Sequence, residues 1–91
     1  MLTLDIQEKY LLPIIAGDKT FEIREQRDRN FHVGQHICLK HTSIESDNNL
    51  AINTMVIIKI KYITDYAQKP DHVVFSFDIV GDVMHEVEKI R

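Results

Sequence analysis

Three side chains in this sequence could do chemistry together: Lys19, Glu22 and Arg24, set in the run Gly17-Asp18-Lys19-Thr20-Phe21-Glu22-Ile23-Arg24. If the run is a strand, Thr20, Glu22 and Arg24 share one face and Phe21 and Ile23 the other. Glu22 and Arg24 are then about 7 Å apart at Cβ. A carboxylate accepts hydrogen bonds from a base's exocyclic amine or ring N–H, whereas a guanidinium or ammonium binds phosphate or a carbonyl oxygen. One acceptor flanked by two cations is therefore a reader of nucleotides. The plainer alternative is an ordinary Glu22 to Arg24 ion pair on an exposed face. Arg27 and Arg29 extend the basic character. Residues 19–40 hold five basic side chains against three acidic ones, Asp28 included, a local balance of +2 in a chain of net charge −3. Such asymmetry suits a cleft for an anion, although a solvated loop of mixed charge reads the same way at Arg27 and Arg29.

The elements that must position these residues follow from hydrophobic period. Leu2, Leu4 and Ile6 alternate with Thr3 and Asp5 as in a half-buried strand. Tyr10, Leu11, Ile14 and Ile15 then form one stripe of a helix over 7–16, with Pro13 weakening or kinking its last turn and Gly17 suited to its left-handed cap. A strand over 19–24 carries the charged run. Gly34 marks a tight turn, and further strands are expected at 35–41, 55–63 and 73–80, with 42–49 an exposed loop. Asp82 is placed to cap a short terminal helix with a stripe of Val83, Met84, Val87 and Ile90, and with Lys89 and Arg91 in its last turn. About five strands and two helices make a mixed α+β, mainly β, single domain over 1–91, with 80–91 a C-terminal helical extension. A small curved sheet or partly closed barrel is the expected architecture.

The charged run also carries a resemblance. It fits G-x-K-x-x-E-φ-R, φ being aliphatic, which is the signature of the ASCH domain, a branch of the PUA-like β-barrels. The helix before the glycine, the stretch Phe31-His32-Val33-Gly34-Gln35-His36-Ile37 and the closing Val73-Val74-Phe75-Ser76-Phe77 match the family's order, and Arg27-Asp28-Arg29-Asn30-Phe31 resembles small bacterial and phage ASCH-like proteins. Together these cover residues 2–79. Gln35 departs from the family's usual Asp, a residue that braces the turn. The resemblance implies a PUA-like barrel whose cleft, between helix and barrel, binds RNA or a nucleotide through Lys19, Thr20, Glu22, Arg24, Arg27 and Arg29. It also raises an enzymatic alternative, an amidohydrolase acting on an acetylated cytidine-type nucleoside, in which Lys19 and Glu22 would be catalytic. There, Glu22 occupies the position of the threonine nucleophile, Thr20 does not align with it, and no later strand offers the required glutamate.

Other constellations are weaker. His32, His36, Cys38 and His41 do not alternate as four ligands of one closed metal site, and Lys40 shares the face of His36 and Cys38; no metal and no cofactor are expected. Tyr62, Tyr66, Phe75 and Phe77 read mainly as core, although Tyr66, near Pro70, could stack on a base. The terminal stripe reads as a cover for the barrel's open side, with a protein partner or a weak homodimer as the alternative to a monomer.

Composition excludes whole classes. Hydrophobic residues at 44% and charged residues at 27% are globular rather than disordered. The longest apolar run, 11–16, falls far short of the ~20 residues a membrane span needs. The start lacks the pattern of an export signal, and a single cysteine rules out an internal disulfide; a cytoplasmic protein is expected. Net acidity argues against a surface that coats nucleic acid generally, not against one local basic site.

Overall fold

The computed structural model describes residues 1–27 and 29–90. Asp28, which entered the local charge balance, and Arg91, expected in the last turn of the terminal helix, lie outside them. The elements in order are β1 (Leu2–Asp5), α1 (Glu8–Ile15), β2 (Phe21–Glu25), β3 (His36–Glu45), β4 (Leu50–Thr64), β5 (His72–Ile79) and β6 (Met84–Lys89). They form one mixed sheet in the order β1-β3-β4-β5-β2, with β6 also paired to β4. Among the described residues only the β1 and β3 pair is parallel. The chain is thus mainly β, as its alternation predicts, with six strands and one helix among the described residues in place of the expected five and two. The expected barrel is instead an open sheet: among the described residues no ladder joins the outer strands β1 and β2. At that seam a side chain takes the place of a ladder, since Arg24 Nη2 donates to the Asp5 carbonyl at 3.0 Å.

The core lies where α1 covers the sheet. Leu11 and Ile14 of the helix are buried with Leu4, Ile6, Ile37, Leu39, Val56, Ile58, Ile60 and Phe75. Phe31, from the connection after β2, packs on Phe75 with ring centres 5.1 Å apart. The Gly34 turn is braced by its neighbour: Gln35 Oε1 accepts from the His32 N–H at 3.2 Å.

Three expectations are corrected. The segment 42–49 is not a loop. β3 runs to Glu45, a turn spans 46–49, and β4 returns from Leu50. The terminal segment is a strand rather than a helix, with all six residues of β6 exposed. Both corrections have one cause, the outer half of β4. Its central strand would present unpaired N–H and C=O groups on two sides, and β3 and β6 satisfy them. A polar relay crosses all three strands: the Thr42 hydroxyl donates to Asn53 Oδ1 at 2.7 Å, and Asn53 Nδ2 donates to Glu88 Oε1 at 3.2 Å. Gly81, at φ +85°, redirects the chain from β5 into β6. Pairing along β4 therefore overrides the helical spacing of Val83, Met84, Val87 and Ile90. The third correction concerns Tyr62 and Tyr66, which are exposed, not core. The β4 to β5 register shifts between Ile60 and Tyr62, so Ile63, not Tyr62, packs against the core. Phe75 and Phe77 are buried as expected.

This division of labour has a measurable consequence. Phe75→Ala, which empties the centre of the core, should cost about 3–5 kcal/mol in urea unfolding. Val87→Ala on the exposed strand β6 should change stability by less than about 0.5 kcal/mol.

Candidate functional site

The end of α1 determines where Lys19 lies. Ala16 is the C-cap, and Gly17 follows in the left-handed region at φ +83°. The Gly17 N–H donates to Ile14 O at 3.0 Å and the Asp18 N–H to Pro13 O at 2.9 Å, which is the paired closure of a Schellman motif. Pro13 does not break this helix. It sits in the last turn, and its carbonyl also accepts from the Lys19 N–H at 3.1 Å. The backbone of Lys19 is thereby tied to the helix two residues before β2 begins.

From there the three charged residues converge. Lys19 Nζ lies 2.5 Å from Glu22 Oε1, and Arg24 Nε lies 2.8 Å from Glu22 Oε2. Glu22 is only 4% exposed. The exposed-face ion pair is thus replaced by a buried carboxylate held from both sides. The alternation of the strand is as expected, but the charged face is the one turned inward at Glu22, while Phe21 and Ile23 are exposed. Desolvating a carboxylate is tolerated only when its charge is compensated and its oxygens are hydrogen-bonded, and here two cations do both.

This arrangement reassigns the roles. Glu22, with each oxygen engaged by a cation, is an anchor rather than a reader of base edges. Lys19 has three N–H groups and Arg24 five. One of Lys19's and two of Arg24's are used at Glu22 and at the Asp5 carbonyl. The remaining donors are available to a ligand's acceptor atoms.

The convergence sits in an open cleft of about 520 Å³ at the seam between β1 and β2. One wall is the turn 5–7 and Tyr10 of α1; the other is Lys19 and residues 21–24. Its volume falls within the range of sites that take one small molecule. Tyr10 and Phe21 are each a little under half exposed at its rim, and sequence reading assigned neither of them to the site. The available signal was the position of Tyr10 at the edge of the helical stripe, beside the residues that cover the core.

Not every expected residue joins. Thr20 is exposed and contributes its backbone, its carbonyl accepting from the Phe77 N–H at 3.1 Å. Arg27 and Arg29 lie past the far end of β2. Arg27 Nε is 3.4 Å from Glu25 Oε2, its N–H donates to Asp71 Oδ2, and Arg29 Nη1 donates to the Glu25 carbonyl. They border none of the cleft. The histidines and Cys38 form no metal cluster among the described residues, and Cys38 is buried. No helix among the described residues is long and apolar enough to cross a membrane.

Residues 2–77 match the family model described as Domain of unknown function (DUF3850), so the chain belongs to that family. No curated protein matches the sequence significantly. The match contains both walls of the cleft and ends before β6.

The anchoring role of Glu22 predicts an asymmetry in stability. Removing both cations, as in Lys19→Met with Arg24→Met, strands a buried carboxylate and should cost about 3–5 kcal/mol in urea unfolding. Glu22→Ala should cost less, because the cation side chains, each 19% exposed, can turn toward water. Adding Glu22→Leu to the double variant should recover most of the loss.

Proposed function

We propose that this DUF3850 chain is an ASCH-like, PUA-related domain that binds RNA or a nucleotide in the cleft between α1 and β2, with its sheet left open at that seam. The observation that carries the reading is the buried Glu22 holding Lys19 and Arg24 side by side with donors to spare. Glu22 engages both cations on one wall and Asp5 stands on the other, so the lining charges balance. The attraction to an anion is local, at the ammonium and guanidinium donors that Glu22 holds at the mouth of the cleft. Phosphate and carbonyl oxygens are the acceptors such a pair recognises. The guanidinium is the more specific of the two. It bonds Glu22 through Nε and the Asp5 carbonyl through Nη2, which fixes its plane, and a lysine ammonium could not make both contacts in that geometry.

The convergence of Lys19, Glu22 and Arg24 on one open cleft agrees with what the ASCH resemblance implies for these three positions. Arg27 and Arg29, outside the cleft, serve this reading only as a basic approach for a longer strand of RNA.

Titration of single-stranded oligoribonucleotides by fluorescence anisotropy at low salt tests the proposal. Lys19→Ala and Arg24→Ala should each weaken binding by about tenfold or more and lower the salt dependence by roughly one counterion. Arg24→Lys should not restore affinity. Arg29→Ala should have a smaller effect. Absence of wild-type binding to any oligoribonucleotide or nucleotide at low salt would remove the reading.

A further inference from the structure

Beyond its cations, the cleft carries two aromatic rings to which no role has been given. Tyr10 comes from α1 and Phe21 from the first position of β2, so the rings stand on opposite walls. The Lys19 ammonium is 4.7 Å from the Tyr10 ring centre and 5.7 Å from that of Phe21. The two ring centres are therefore no more than about 10 Å apart, close enough for both to meet one flat ring that enters the cleft beside the ammonium, each at a contact distance of roughly 4.5–7 Å. Both rings keep a little under half of their surface in solvent.

We infer that Tyr10 and Phe21 form a clamp for one unpaired nucleobase, so that the ligand is a single-stranded or free nucleotide and not a duplex. The inference rests on the nucleotide-binding reading and deepens it. The cations supply attraction to acceptor oxygens, which every nucleotide carries. The rings add a requirement for an exposed base face, which only an unstacked base offers. In duplex nucleic acid those faces are covered by neighbouring bases, and a cleft of this size admits one base rather than a helix. Lys19 keeps two N–H groups for an oxygen on the ring's edge or its phosphate. Lys9, exposed, places a second ammonium 5.1 Å from the Tyr10 ring centre. Stacking is indifferent to base identity, since every base has a π-face, so the clamp selects for strandedness more than for sequence.

The experiment separates this inference from the reading beneath it. Wild-type chain is titrated with a mixed-sequence single-stranded oligoribonucleotide, the same oligomer with abasic sites throughout, and the corresponding blunt duplex. Free nucleoside monophosphates and ribose 5-phosphate form a second arm. Tyr10→Leu and Phe21→Leu keep apolar bulk at positions already half in solvent, and thermal melts confirm their folding. The inference expects binding at least about tenfold tighter to the base-bearing single strand than to its abasic form or the duplex. Each leucine variant should lose about tenfold on base-bearing ligands, nothing on abasic ones, and Phe21→Tyr should retain affinity. Base-dependent binding confined to free nucleotides supports the clamp and identifies a mononucleotide as its ligand. Equal affinity for base-bearing and abasic strands overturns the clamp while the cation reading stands. The wild-type comparison alone decides this, even if a variant unfolds. Failure of every probe to bind removes both.

Discussion

One buried carboxylate organises this molecule's chemistry. Glu22 has almost no access to water, and its charge is sustained by Lys19 on one oxygen and Arg24 on the other. The dependence runs in both directions. Without the cations the carboxylate would be strongly disfavoured in its position, and without the carboxylate two long, entropically mobile side chains would have no reason to share a cleft. The Schellman closure of α1 and the bond from Arg24 to the Asp5 carbonyl extend this constraint outward. Helix, edge strand and the end of β1 are fastened to one point.

That point also explains why the sheet stays open. β1 and β2 are short strands at the two ends of the sheet order, and direct pairing between them would fill the space that the cleft occupies. A guanidinium reaching a single carbonyl joins the edges with one bond and leaves room beside it. The seam is thus both the place where a barrel would close and the place where the cleft opens to solvent.

Much of the near-site structure is legible in local pattern, because short-range chemistry determines it. The helix over 8–15, the glycine turn after it and the strand carrying Glu22 and Arg24 follow from period and capping within twenty residues. The burial of Phe75 and Phe77 follows from alternation in the same way. What escapes local reading depends on partners distant in sequence. The strand character of 84–89 comes from pairing with 50–55, and the reversal that exposes Tyr62 comes from a register shift against β5. Likewise, the burial of Glu22 needs the helix end, and the presence of Tyr10 in the cleft needs α1 to lie across from β2. Arg27 and Arg29, adjacent to the motif in sequence, are carried away from it by the length of β2.

The outer halves of β3 and β4, with β6, stand apart from this arrangement. They extend the molecule to 45 Å along its long axis and are held by backbone ladders and by the Thr42, Asn53 and Glu88 relay rather than by the main core. A region stabilised in that way can open on its own, below the free energy of global unfolding. Strand β6 also lies beyond the segment shared with the family. The protein is therefore built with mechanical insulation: a distal arm free to fray without disturbing the charged anchor at the opposite end of the sheet.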